Sequence, residues 1–459
     1  MKNILSLLPM VLLLVGVACK QSPTSSGATT SVEAYADSIF QAAVDSAEIA
    51  GASVLVYRGG ESLLDKAYGY ASLELQAPVP QDGVFEIGSV TKQFTAAAIL
   101  KLAAEGKLSL EDDFTQYVPM DTGGRQISIN ALLDHTSGIP SYTEIPEFWA
   151  LSMEAHPRDS LLRLVETEEF LFEPGQRMIY NNTAYFILGL IIEKVTDQTY
   201  EAYLQEAFFE PLGMDQTHYC TTSGIMPAKV YGYSYSEEGL QQKNFLNHTW
   251  PYAAGSLCST AADLLKWMKA LHKGEVLGPE DYGLLTTPEK LKNGATLRYA
   301  KGLAVYNQYG NPYIGHGGGI NGFLSETRYY PEADLYVICL VNTTGPKGAG
   351  YFANELSWQL LEKQEYETVP VDIDLQSISG AYSGVVRGRL LELSVEATPD
   401  GLIARSKGDK EADTIPTYVG NATWMDGNDI LKFQDGNWII DQVSGYYVLE
   451  PAEGTPKAN

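Results

Sequence analysis

The sequence predicts an α+β fold: an antiparallel sheet flanked by helices, beside an all-helical lobe, followed by a C-terminal all-β domain. Strand patterns stand at both ends of residues 32–368, and helical patterns fill the stretch between them. After Val369 the texture changes to short alternating runs punctuated by turns. Strands far apart in the chain that enclose helices imply one sheet assembled from distant segments, and the seam between such a sheet and a helical lobe is a natural cleft.

Taken in order, apolar residues recur at helical spacing from Val32 to Ser46. Ala52 to Arg58 reads as a strand, Gly59-Gly60 suits a two-residue hairpin turn, and Glu61 to Tyr70 returns antiparallel. A helix followed by a meander disfavours a nucleotide-binding doubly wound sheet. From Phe94 to Ala104 only Thr95 and Lys101 are polar, so a helix here is buried on nearly all sides. A helix-rich, proline-punctuated middle runs to about Leu271. Strand patterns return at Gly302 to Tyr306, Tyr313 to Gly315 and Phe323 to Val341, and Tyr351 to Glu362 is a further helix pattern. Beyond Val369, Leu391, Leu393 and Val395 alternate with Glu392, Ser394 and Glu396, with turns at Pro399-Asp400-Gly401 and Asp435-Gly436-Asn437. Residues 369–459 therefore read as a small barrel or sandwich. Having no His or Cys, this module is expected to pack or gate rather than catalyse.

The 459 residues carry 31 Lys plus Arg against 57 Asp plus Glu, a formal charge of −26. That surplus repels phosphate backbones and anionic headgroups, which excludes nucleic acid as a partner. Lys2 is followed by the apolar run Ile4 to Val17, too short to span a bilayer, so residues 1–18 read as a secretory signal. Val15-Gly16-Val17-Ala18-Cys19 resembles a bacterial lipoprotein cleavage box, which would make Cys19 the lipidated N-terminus and residues 19–31 a polar tether. An exported, membrane-anchored protein is expected, periplasmic or at the cell surface, touching the membrane through its lipid alone. Cys220, Cys258 and Cys339 are odd in number, so at most one intramolecular disulfide forms. A Cys220–Cys258 pair stays open, and Cys339, inside the apolar run Leu335 to Val341, reads as a buried free thiol. No Cys-x-x-Cys pair and no His-Glu-x-x-His helix occurs, so neither a metal nor a cofactor is expected. Nothing in the sequence specifies an oligomeric state.

Chemistry is concentrated in three motifs. Ser89-Val90-Thr91-Lys92 opens the buried helix, and a spacing of three puts hydroxyl and amine on one helical face. A serine hydroxyl is a weak nucleophile until something takes its proton, which a desolvated amine one turn away can do. Tyr180-Asn181-Asn182 precedes a second buried helix pattern, Ala184 to Val195; near an ammonium the phenol of Tyr180 would be acidified into a base, and Asn182 could bind a substrate amide. Tyr309-Gly310-Asn311 has the same spacing but reads as a hairpin turn. Gly315-His316-Gly317-Gly318-Gly319 ends a strand pattern, where glycines let a substrate lie along the edge and leave a backbone N–H free for an oxyanion. Asp134, His135 and Ser137 mimic a triad, but such close neighbours cannot reach relay geometry. No Gly-x-Ser-x-Gly elbow occurs.

Ser-x-x-Lys, then Tyr-x-Asn, then a basic residue with glycines on a strand resembles the serine β-lactamase and penicillin-binding-protein superfamily. The nearest branch holds class C β-lactamases, D-alanyl-D-alanine carboxypeptidases of the peptidase S12 type and related esterases. Leu132-Leu133-Asp134-His135-Thr136-Ser137-Gly138, Pro211-Leu212-Gly213-Met214 and Ser259-Thr260-Ala261-Ala262-Asp263-Leu264 support the match, which spans about Val32 to Glu362. The resemblance implies a β-lactamase-like fold and a serine hydrolase working through an acyl-enzyme on small esters or amides. Its alternatives are a D-amino-acid peptidase or D-Ala-D-Ala carboxypeptidase and, in another class, a penicillin-binding protein without turnover. It also implies Ser89 as nucleophile, Lys92 as activating partner, and Tyr180 as base and later acid. Asn182, His316, Gly318 and Gly319 would bind a small-molecule or peptide substrate, with the N–H groups of Ser89 and Gly319 as oxyanion hole. His316 stands where many members have Lys. Its reference pKa of about 6.5 implies a weaker hold on substrate carboxylates and an activity sensitive to pH near neutrality.

Overall fold

The computed structural model describes residues 31–399, 401–408, 413–415, 417–426 and 429–452. The expected signal, the lipidation residue Cys19 and the tether up to residue 30 lie outside them. Ser31 caps the first helix, its hydroxyl accepting the Ala34 N–H at 3.1 Å, and Val32–Asp45 follows. Gly51–Arg58 and Glu61–Ser72 form the expected hairpin, with Gly59 and Gly60 both at positive φ. Leu335–Val341 returns from the far end of the domain to pair antiparallel with Gly51–Arg58, Val54 lying opposite Cys339. The completed sheet has seven strands in the order Ala304–Gln308, Asn311–Ile320, Phe323–Tyr330, Leu335–Val341, Gly51–Arg58, Glu61–Ser72 and Ala77–Pro78.

Alternation along these strands decides what each face meets. Val54, Val56, Val337 and Cys339 face the two terminal helices Val32–Asp45 and Ala349–Ser357, where the Phe40 ring stacks on Tyr68 and Phe352 at 4.8 and 4.1 Å. Leu55, Ile338 and Leu340 face the helical lobe and its central helix Thr91–Ala104. That helix is buried from Thr91 through Leu100, and its polar side chains are satisfied. The Gln93 amide donates to Thr327 Oγ1 at 2.9 Å and accepts from the Trp267 indole at 3.1 Å, while the Thr95 hydroxyl donates to the Ala253 carbonyl at 2.7 Å. Thr260 caps Ala261–His272, its hydroxyl accepting the Asp263 N–H at 3.1 Å.

The helix-rich middle also contains strands, which were not expected. Tyr233–Ser236 pairs with Gly239–Gln242, and Leu257–Ser259 lies between Phe85–Glu86 and His218–Tyr219. The disulfide left open by the sequence is formed: Cys220 and Cys258 are joined beside this small sheet, and Cys339 is free and buried.

The C-terminal strands, from Gly380–Val386 to Gly445–Pro451, make a meander whose first and last strands pair, so the sheet curls around Tyr382, Trp424, Trp438 and Leu449. It does not stand apart. Met178–Ile179 of the helical lobe adds to its last strand, Ile179 opposite Gly445. Met178, Leu291, Leu297 and Tyr299 share one apolar core with Ile439 and Tyr446. A two-residue strand carries too little pattern to be read in advance, so this joint had no sequence signal.

Candidate active site

The turn Gly88–Val90 leads into the central helix and presents Ser89 at its mouth. Gly88 has φ +50°, and a Cβ there would stand 2.9 Å from the Gly319 carbonyl oxygen, so the turn admits no larger residue without displacement. Lys92, one turn on, is fully buried, with Nζ 3.1 Å from Ser89 Oγ, 2.8 Å from Asn182 Oδ1 and 2.7 Å from the Ala254 carbonyl oxygen. Burial, aided by the Arg387 cation, holds this amine well below the ordinary lysine range. A neutral amine has two N–H bonds and one lone pair. Since the Ala254 carbonyl and Asn182 Oδ1 can only accept, the lone pair falls to the Ser89 hydroxyl.

Tyr180 follows the two-residue strand and its N–H donates to the Ser444 carbonyl at 2.9 Å. The Lys92 Nζ lies 4.7 Å from the centre of its ring. Its hydroxyl is buried without a hydrogen-bond partner of normal length, yet it faces Ser89 closely enough to feel that hydroxyl. Burial pushes the phenol up, and Ser89 and Arg387 offset only part of that rise. The expectation of an acidified phenol is therefore corrected: desolvation outweighs the Arg387 cation, and Tyr180 keeps its proton. Asn181 caps helix Asn182–Thr196, its Oδ1 accepting the Ala184 N–H at 2.9 Å, which places Asn182 beside Lys92. The Asn182 amide nitrogen donates to Thr143 Oγ1 at 3.2 Å.

His316, on strand Asn311–Ile320, accepts from the Tyr299 hydroxyl at Nε2, 3.0 Å away, and donates from Nδ1 to the Gly317 carbonyl. Burial, with Lys92 adding, pushes it down to about 3. Glu326, which could have restored the cation, is instead paired with Arg328 at 2.9 Å. The expected titration of His316 near neutrality is thus corrected: the ring is neutral because it is dry. A cavity of about 600 Å³ is lined by Ser89, Tyr180, Asn182, His316, Gly317 and Gly319, with Lys92 beneath it. Gly318 does not line the cavity. A Cβ on it would meet the Ile87 carbonyl oxygen at 2.1 Å, so its part is to let the strand approach the Ser89 turn. Ser137 is fully buried away from any substrate, and burial pushes Asp134 up to about 6. His135, set aside with the false triad, nevertheless has a use. Its Nδ1 accepts the Asn181 N–H at 3.1 Å and its ring packs 4.5 Å from those of Tyr180 and Tyr299.

The model of the family described as Beta-lactamase matches residues 36–362. The chain belongs to that family. It is a serine hydrolase acting through an acyl-enzyme, and its β-lactamase fold carries the helices, sheet and cleft described above. Among its relatives, Protein flp of Staphylococcus aureus (strain N315) is 29% identical over 349 residues, 72% of this chain and 67% of that one. A D-stereospecific amidohydrolase from Streptomyces sp. superposes with a TM-score of 0.61 and 26% identity over 70% of this chain and 97% of that one. An octameric penicillin-binding protein homologue from Pyrococcus abyssi matches with a TM-score of 0.62 and 25% identity, covering 90% of this chain and 99% of that one. That last likeness extends well beyond the residues matched by the Beta-lactamase family model.

Part of the cavity wall comes from that further stretch. Arg387, Asp429, Gln442, Val443 and Ser444 all line it, although no chemistry was expected beyond Val369. No local motif marks them; they reach the cleft because the C-terminal sheet adds to Met178–Ile179 and shares a core with Leu291, Leu297 and Tyr299.

Proposed function

We propose that Ser89 is the nucleophile, Lys92 its base, and Tyr180 the acid for the leaving group. The Ser89 proton passes to the Lys92 amine as Oγ bonds to the substrate carbonyl carbon, with the N–H groups of Ser89 and Gly319 holding the oxyanion. Collapse breaks the bond to the alkoxide or amine, which takes the Tyr180 proton, and Lys92 returns its proton to the phenolate. Water then attacks the acyl-enzyme with the same groups in reverse. The observation that carries this reading is the Lys92 amine, 3.1 Å from Ser89 Oγ with its other two partners able only to accept.

The substrates are small esters and amides. The likeness to a D-stereospecific amidohydrolase favours amides of D-amino acids within that class, and neutral His316 offers a substrate carboxylate no cation of its own. Intact-mass measurement after a fluorophosphonate tests the nucleophile: a single adduct is expected on wild type and none on Ser89→Ala, and an adduct mapping to another serine overturns the assignment. Export as a lipoprotein anchored through Cys19 is proposed from residues 1–19, and the disulfide supports an oxidising compartment. Metabolic labelling with a fatty acid should mark wild type and not Cys19→Ser; an unlabelled wild type overturns the anchor.

A further inference from the structure

His316 and the buried Lys92 leave the cavity without a cation from the Beta-lactamase core, yet the cavity is not without one. The turn between Gly380–Val386 and Arg389–Thr398 reaches back over the cleft, and its Arg387 lines the wall with Ser89, Tyr180 and Asn182. The guanidinium carbon lies 5.9 Å from the centre of the Tyr180 ring, and its charge is felt at Lys92, His135 and Tyr180. Of the charged side chains on the wall, Asp429 is occupied by the Gln442 amide at 2.6 Å. The one hydrogen bond described for Arg387 is a long one, Nη2 to Glu144 Oε1 at 3.4 Å, and its side chain is 46% exposed. A guanidinium has five N–H donors in a fork that matches a carboxylate. Beyond this ion pair with Glu144, no partner is described for the other N–H groups of a side chain that lines the cavity.

We propose that Arg387 is the specificity residue that selects substrates carrying a free carboxylate close to the scissile ester or amide. It supplies from the C-terminal sheet the charge that His316 does not supply from the strand. The inference rests on the hydrolase reading above. The turn is shaped for this duty: Arg387 sits at φ +48° and Gly388 at +74°, so the side chain is set by a tight two-residue hairpin.

The test uses full-length protein and two ester pairs, each a carboxylate and its methyl ester. In 4-acetoxybenzoate the carboxylate is on the leaving group; in the monophenyl ester of adipic acid it is on the acyl group. Arg387→Asn removes the cation with a residue that tolerates positive φ, and Arg387→Lys keeps a point charge. In at least one pair the ratio of kcat/KM, carboxylate over methyl ester, should fall tenfold or more in Arg387→Asn and recover in part in Arg387→Lys. The pair that responds tells which side of the scissile bond faces Arg387. A ratio within twofold of wild type in both pairs overturns the inference while fluorophosphonate labelling of Ser89 leaves the hydrolase reading standing. Wild type that neither labels nor turns over any of the four esters overturns both.

Discussion

Lys92 sits beneath the cavity with its amine shut off from water, and two of the three atoms it faces can only accept. Burial, with the Arg387 charge adding, outweighs those acceptors and favours the neutral amine, so the proton-accepting form is present above a depressed pKa and is lost as pH falls through it. The acid limb of kcat/KM therefore belongs to Lys92. His316, held at about 3, is already neutral throughout any working range. His316→Gln should leave the position of that limb unchanged, whereas Lys92→Ala should abolish it and lower acylation by about 10² or more; a limb that moves with His316→Gln refutes the assignment, and stopped-flow acylation across pH 5–9 reads both. Ser89, Lys92, Tyr180, Asn182 and His316 were legible in the sequence because three motifs occur in one order. Their protonation states were not, because they follow from burial by residues far away in the chain. Arg387 was invisible for the same reason, since an arginine before a glycine marks only a turn.

At the scale of elements, length decided what could be read. The central helix showed itself by being apolar on all sides, and the hairpin at Gly59-Gly60 by alternation around a two-residue turn. Both periods need several residues to show. Met178–Ile179 and His218–Tyr219 have two, and Tyr233–Ser236 has four, so tertiary pairing rather than local pattern makes them strands. The glycines of the third motif were read as leaving room for substrate, and Gly318 shows a different need. The backbone of strand Asn311–Ile320 passes so near Ile87 that a side chain would collide with it, and the Ser325 hydroxyl ties the same carbonyl at 2.8 Å. Gly318→Ala should push the strand away from the Ser89 turn, costing about 1–3 kcal/mol of stability and more than tenfold in kcat/KM. Thermal melts with ester assays would show it, and an unimpaired variant would mean that the turn has slack.

Considered as a whole, the molecule closes its active site with two parts of the chain that the sequence suggested were separate. Strand Met178–Ile179, immediately before the Tyr180 motif, is hydrogen-bonded to the last C-terminal strand, and the Ser444 carbonyl holds the Tyr180 N–H. Met178, Leu291, Leu297 and Tyr299 are almost fully buried within a core shared with Ile439 and Tyr446. Ending the chain after Thr368 would re-expose them. At about 1.5–3 kcal/mol for each large apolar side chain, the loss is comparable to the roughly 5–15 kcal/mol that holds a typical domain folded. The shortened chain should therefore melt at least about 10 °C lower or fail to stay soluble. Any soluble fraction should have lost most of its esterase activity, since Tyr180 is no longer held. Calorimetry and a p-nitrophenyl acetate assay on the shortened and full-length proteins would decide. Equal melting temperatures and activities within twofold would mean that the C-terminal sheet only rests against the cleft, and that the shared core carries none of the load assigned to it.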